Sequence, residues 1–127
     1  MNLFGFVAVG VGAAVGAWLR WWLGIVLNPV LPTLPLGTLA ANMIGGLIMG
    51  FAMALMSHYE ALPPEVRLFV ATGFLGGLTT FSTFSAETVT LLVREQFGWA
   101  ATTILAHLAG SILMTLAGIA IMRLVLK

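Results

Sequence analysis

The chain has 127 residues, 61 % of them hydrophobic and 7 % charged, with a net charge of +1 and no cysteine. A soluble domain carries about 25 % charged residues, so this composition cannot cover a soluble surface and points to a polytopic membrane protein. The small charge gives no ground for a nucleic-acid partner or a lipid-headgroup switch, and disulfides, thiolate catalysis and cysteine metal sites are excluded.

A membrane helix needs roughly 20 apolar residues, and four segments qualify. The first runs from about Leu3 to Leu27, interrupted only by Arg20, and ends at Asn28-Pro29. It lacks a positive leading stretch and is too long for a signal peptide, so it reads as a retained helix. Residues 29–35 hold three prolines and read as a short extended loop. The second segment runs from about Leu36 to Met56. The polar stretch Ser57–Glu65 (SHYEALPPE) is the next loop, with His58 in it. Pro63 and Pro64 suit the start of the third helix, which runs from about Glu65 to Val93 and is expected to break near Gly76–Thr80. Arg94-Glu95-Gln96 turns the chain into the fourth segment, from about Trp99 to Leu126. The expectation is one all-α membrane domain over residues 1–127.

Four spans put both termini on one side, with Arg67, Arg123 and Lys127, against Arg20 and Arg94 on the other. Three against two is almost no bias under the positive-inside rule. Insertion in both orientations and a fixed topology set by one or two charges both remain open. Gly12/Gly16 and Gly46/Gly50 form GxxxG pairs, and Ala106/Gly110 a small-xxx-small pair; such faces let helices approach closely in lipid. Four short helices enclose too little interior for a wide passage, which points to an oligomer, most simply a dimer.

The richest stretch is GFLGGLTTFSTFSAET, residues 73–88. Glycine and hydroxyl residues make a poor continuous helix, and irregular backbone at membrane depth survives only when buried in protein or lining a wet cavity. Exposed carbonyls at such a break are hard ligands suited to an alkali cation, although a packing kink is the simpler reading from the residues alone. Phe81 and Phe84 lie one turn apart, with Ser82, Thr83 and Ser85 around them. Ring edges are positive and could line an anion path without trapping the ion, packing being the competing role. Asn42 in LAANMIGG offers donors and an acceptor beside Gly45 and Gly46. His107 and Ser111 share one face of the fourth helix, where function and a plain interhelical contact are equally open. Arg20 sits among Trp18, Trp21 and Trp22; interfacial snorkelling is the plainer role, a positive vestibule the functional one. Glu87 is the one carboxylate well inside a span. It suits a proton relay or a structural hydrogen bond, and in an anion pathway it is expected to be hydrogen-bonded or off the permeation line. No catalytic constellation is present, so no enzymatic activity is expected.

With these residues in view, the chain resembles the Fluc (CrcB) family of small fluoride channels over essentially its whole length. The motifs are GAWLRW at 16–21, GTLAANMIGG at 37–46, GFLGGLTTFSTFSAET at 73–88 and AGS at 109–111. The resemblance implies an antiparallel, dual-topology homodimer in a prokaryotic inner membrane, with two fluoride pathways along the subunit interface. It implies a structural sodium ion held by main-chain carbonyls that map to Gly76 and Thr79. The aromatic pair falls on Phe81 and Phe84, and the polar pore residues on Asn42 and Ser111, with Ser82 and Thr83 nearby. Thr38 matches a hydroxyl near the pore wall, Arg20 the vestibule arginine and Glu87 the third-helix glutamate. His107 stands where serine is expected in some relatives; a neutral imidazole supplies a similar donor. Fluoride is strongly hydrated, so a narrow path must replace its water with fixed donors that still release it. The implied role is passive export of cytoplasmic fluoride. The rival reading is a small proton-coupled multidrug exporter of similar length and topology, whose essential carboxylate lies in the first helix, where this chain has none.

Overall fold

The computed structural model describes residues 1–127 and is entirely helical. Four stretches, Leu3–Val30, Leu36–His58, Pro64–Val93 and Phe97–Val125, are each long and apolar enough to cross a membrane. They are called the first to fourth helices below.

The first helix proper is Leu3–Leu27. Asn2 starts it, its Oδ1 accepting from Gly5 N at 2.7 Å and so satisfying one of the amides a helix start leaves open. Pro29 tightens the end into a 3-10 turn, Asn28–Val30. Asn28 then serves a second helix start: its Oδ1 accepts from Gly37 N at 2.8 Å and Thr38 N at 3.2 Å. Pro35 at the N-cap offers no side-chain acceptor, so an asparagine from the preceding turn takes over that task. The second helix, Leu36–His58, includes His58, which the sequence had suggested lies in the loop; the helix simply outlasts the apolar run by two residues. The following loop is tied by Arg67, whose guanidinium donates to the carbonyls of Met56, Tyr59, Glu60 and Leu62.

The third helix is irregular through its middle. It starts with Pro64 at the first helical position, widens into a π-helical stretch over Leu68–Leu75, and closes a last turn at Gly76–Leu78. Thr79 (φ −86°, ψ 153°) and Thr80 (φ −147°, ψ 117°) are extended. The helix resumes over Phe81–Val93, with Thr80 as its N-cap: Thr80 Oγ1 accepts from Thr83 N at 3.1 Å. The break is therefore two residues wide and lies at the threonines; Gly76, Gly77 and Leu78 stay helical, contrary to the wider break expected from the sequence.

The glycines serve packing. A Cβ on Gly12 would stand 2.6 Å from Phe69 O and 2.8 Å from Phe74 N, and one on Gly73 would stand 2.8 Å from Val9 O. Gly16 likewise faces Phe74 O and Leu78 N, and Gly77 faces Ala13 O. Two GxxxG faces thus meet, Gly12/Gly16 on Gly73/Gly77, and bring the first and third helices into main-chain contact. On the other side Gly46 and Gly50 meet Ser111, Thr115 and Gly118 of the fourth helix, and Gly110 meets the Met43 side chain. Thr115 Oγ1 adds a cross-helix bond to Gly46 O at 2.9 Å. Between these pairs lies a small core of Leu23, Ala41, Leu75 and Leu78, backed by Leu19, Ile48, Val70 and Phe74. The part of the third helix before the break packs on the first helix and the part after it chiefly on the fourth.

Candidate functional site

The break is held open by one side chain. Thr80 N donates to Asn42 Oδ1 at 2.8 Å, and Asn42 Nδ2 donates to Thr80 O at 3.1 Å. The same Nδ2 lies 3.0 Å from Nδ1 of His107. Thr79 turns its hydroxyl back onto Leu75 O at 2.7 Å, closing the first half of the helix. Asn42 can do this because the second helix presents it one turn before Gly45, where a Cβ would collide with the Thr79 methyl group.

The diverted amides release two carbonyls. In an uninterrupted α-helix the Gly76 carbonyl would accept from Thr80 N and the Thr79 carbonyl from Thr83 N. Here Thr80 N goes to Asn42 and Thr83 N to the Thr80 hydroxyl. Hard main-chain oxygens freed in this way fit an alkali cation, and Gly76, which is exposed, adds no side chain in front of its own. Gly77 differs: its carbonyl accepts from Arg20 Nε at 3.0 Å.

A cavity of about 430 Å³ opens beside the break. Its lining includes Asn42, Gly76, Thr79, Phe81, Phe84, His107 and Ser111. Seven of the residues singled out from sequence are thus brought together from three helices. Phe81 and Phe84 meet edge-on, with ring centroids 5.5 Å apart and planes at 64°. Their environments differ sharply: Phe84 is 7 % exposed and Phe81 74 %. Phe84 also stacks at 4.7 Å on the ring of His107, which is 3 % exposed. The Ser111 hydroxyl engages no partner within the chain, whereas one turn on Thr115 donates to Gly46 O and Ser111 O.

The other sequence candidates fall outside this cavity. Arg20, Thr38 and Thr83 line a separate recess of about 270 Å³ together with Trp21 and Thr80. Arg20 is half-buried and tied to Gly77 O, so it is not simply an interfacial snorkel. Ser82 is exposed, 3.4 Å from the Thr80 hydroxyl, and Thr83 Oγ1 accepts from that hydroxyl at 3.1 Å. Glu87 lies in a third recess with Pro32, Thr33, Arg94 and Gln96. Its carboxyl is beside the Thr38 hydroxyl, while Oε1 is buried with no partner. It does not line the main cavity. Two residues of consequence were not singled out. Thr80 is the clamped residue itself, and Thr115 continues the His107–Ser111 stripe by one more turn; the i, i+4 spacing was the available signal.

Comparison with known proteins agrees with the architecture. The family model described as "CrcB-like protein, Camphor Resistance (CrcB)" matches residues 7–119. A protein of Nitrosospira multiformis named fluoride-specific ion channel FluC is 62 % identical over 119 residues, covering 94 % of this chain and 93 % of its own. Proteins of the same name from Thiobacillus denitrificans (60 % over 110 residues, 87 % and 89 % covered) and Cupriavidus taiwanensis (55 % over 119 residues, 94 % of each) are similarly close. With four helices fit to span a bilayer and a family match over residues 7–119, the chain is an integral, multi-pass membrane protein and belongs to the CrcB-like family.

Proposed function

We propose that this chain is a fluoride channel that lets cytoplasmic fluoride leave by passive electrodiffusion. The observation that carries the reading is the cavity beside the clamped break, where the Asn42 amide, the His107 ring, the free Ser111 hydroxyl and two aromatic rings converge. The relatives named fluoride-specific ion channels support it. The donor set suits a small, strongly hydrated anion. The Ser111 hydroxyl and a ring N–H replace part of its water, both Asn42 amide hydrogens being taken by Thr80 O and His107 Nδ1; ring edges carry it onward, and no full positive charge lines the cavity to trap it. Arg20 in the neighbouring recess supplies the positive potential that concentrates anions at an entrance. The one carboxylate well inside a span, Glu87, lies apart, which weighs against a proton-coupled exporter working through this cavity. Nothing in the family's channel role calls for enzymatic chemistry.

The functional unit in this reading is an antiparallel homodimer in an inner membrane. The freed main-chain oxygens at the exposed Gly76 and the open hydroxyl of Ser82 are costly against lipid; a second copy covers them, together with the exposed Phe81, and closes the cavity into a pathway. The balanced flanking charges favour insertion both ways. The carbonyls of Gly76 and Thr79 would hold a structural sodium ion near that junction, where a bound cation would offset the approach of opposed carbonyl dipoles.

Efflux from liposomes loaded with potassium fluoride or potassium chloride, with purified protein and valinomycin, tests the function. Fast fluoride release without chloride release is expected; release of neither from a folded protein sinks the reading.

A further inference from the structure

His107 is the least expected member of the cavity, and its surroundings fix more than its position. The orientation of the Asn42 amide is not ambiguous. Its oxygen receives the Thr80 N–H and its nitrogen faces the Thr80 carbonyl, so a flipped amide would lose both bonds. The nitrogen of Asn42 is therefore the group that meets His107 Nδ1, at 3.0 Å. An amide nitrogen only donates, so Nδ1 must accept and must carry no hydrogen. The proton of the neutral ring is then on Nε2. That atom is buried and has no partner within the chain, in a side chain that is 3 % exposed and lines the cavity. Phe84 packs against the ring, with centroids 4.7 Å apart and planes at 37°. A buried N–H without an acceptor is costly, and proteins rarely keep one without use.

We infer that the His107 Nε2–H, held in a single tautomer by Asn42, is a dedicated anion donor of the pathway, the permeating ion completing its hydrogen bonding. Asn42 then has two tasks: it opens the third helix at Thr80, and it aims the histidine proton away from itself. A serine hydroxyl at this position could rotate and give its proton to a main-chain carbonyl; a tautomer-locked imidazole cannot. The inference rests on the fluoride-channel reading for the identity of the ion, while the tautomer stands on geometry alone.

Two measurements test it on the intact protein. The first is nitrogen NMR of ring-labelled histidine in a His58→Gln background, which distinguishes the two neutral tautomers. Protonation at Nε2 is expected, and a ring protonated at Nδ1 overturns the inference. The second is fluoride efflux after replacing His107 with a thiazolylalanine whose nitrogen takes the Nδ1 position and whose sulfur takes the Nε2 position. The contact with Asn42 survives and only the donor is lost. Flux is expected to fall by about tenfold or more, the scale of losing a hydrogen bond to a charged partner, and a wild-type rate overturns the inference. If that variant does not fold, the pair His107→Gln and His107→Leu decides, because glutamine keeps an N–H at similar reach. Gln should conduct better than Leu, and equal rates overturn the donor role. A silent wild type overturns the channel reading, and the anion as partner with it, whereas the tautomer spectrum remains valid by itself.

Discussion

Asn42 clamps the main chain of Thr80 from both sides, receiving its N–H at 2.8 Å and donating to its carbonyl at 3.1 Å. A side-chain amide carries its donor and its acceptor on separate atoms of one plane, so it can do both at once. It replaces the Gly76 carbonyl that Thr80 N has given up and adds a donor to the Thr80 carbonyl, so the clamped residue itself is fully hydrogen-bonded.

Asn42→Asp keeps the acceptor for Thr80 N and replaces the donor with an oxygen facing Thr80 O and His107 Nδ1. Loss of the donor from a partly buried site should cost about 1–3 kcal/mol of stability and abolish fluoride efflux. A variant with wild-type thermal unfolding and wild-type flux would show that the clamp is dispensable.

Phe81→Ile and Phe84→Ile should both slow fluoride efflux, because each removes a ring edge from the cavity. They should differ in stability. Phe84 is buried against His107 while Phe81 is open in the single chain, so only the Phe84 change should lower the melting temperature of the monomeric fold. An unchanged oligomeric state by size-exclusion chromatography checks that slowed flux reflects the pathway. Wild-type flux in both variants removes the aromatic edges from the mechanism.

Gly16→Ala and Gly10→Ala form a matched pair within one helix. A Cβ at position 16 runs into the main chain of Phe74 and Leu78, whereas at position 10 it meets nothing within 4 Å. Overpacking should destabilise the first by about 1–3 kcal/mol. The second should be neutral or stabilise by up to about 1 kcal/mol through helix propensity. Thermal unfolding in detergent reads both, and equal effects would mean that the Gly12/Gly16 face does not set the contact.

Adding lysines after Lys127 should drive insertion into one orientation, because the flanking charges are nearly balanced. Single-cysteine labelling from each side of the membrane checks it. Labelling of the unmodified protein from one side only would end the dual-topology proposal.

Glu95 occupies the left-handed region at φ 58° in the turn after the third helix, where its N–H reaches Leu92 O and that of Gln96 reaches Leu91 O. Glycine takes this conformation without the Cβ cost. Glu95→Gly should therefore raise stability by about 1 kcal/mol, with no effect on flux; a lowered melting temperature would contradict it.

How far the residues could be read in advance depended on the range of the physics. Helix bounds such as Leu3–Leu27 follow from apolar length and proline alone and were legible to within a residue or two. The break was legible as a glycine- and hydroxyl-rich stretch but was placed too broadly. Composition cannot separate Gly73 and Gly77, which are glycine for the sake of the first helix, from Thr79 and Thr80, which actually leave the helix. The π-helical widening at Leu68–Leu75 had no local signature at all. Asn42, Phe81, Phe84, His107 and Ser111 were found because polar and aromatic groups within an apolar span stand out. Their division from Arg20, Thr38 and Thr83 was not found, since two recesses that share Thr80 differ only in tertiary position. Thr115 was passed over because its helical stripe was followed for one turn and not for two.

Thr80 lines both the main cavity and the Arg20 recess. In an assembled pathway through both, water filling each hollow would place much of the membrane's electric field across the residues between them, Thr80 among them. One elementary charge moved through the full potential exchanges about 2.3 kcal/mol per 100 mV. In a pathway joining the two hollows, most of that work would be done within a few ångströms of Thr80. The voltage dependence of the current would then report on the rigidity of this one threonine, and so on the amide that grips it.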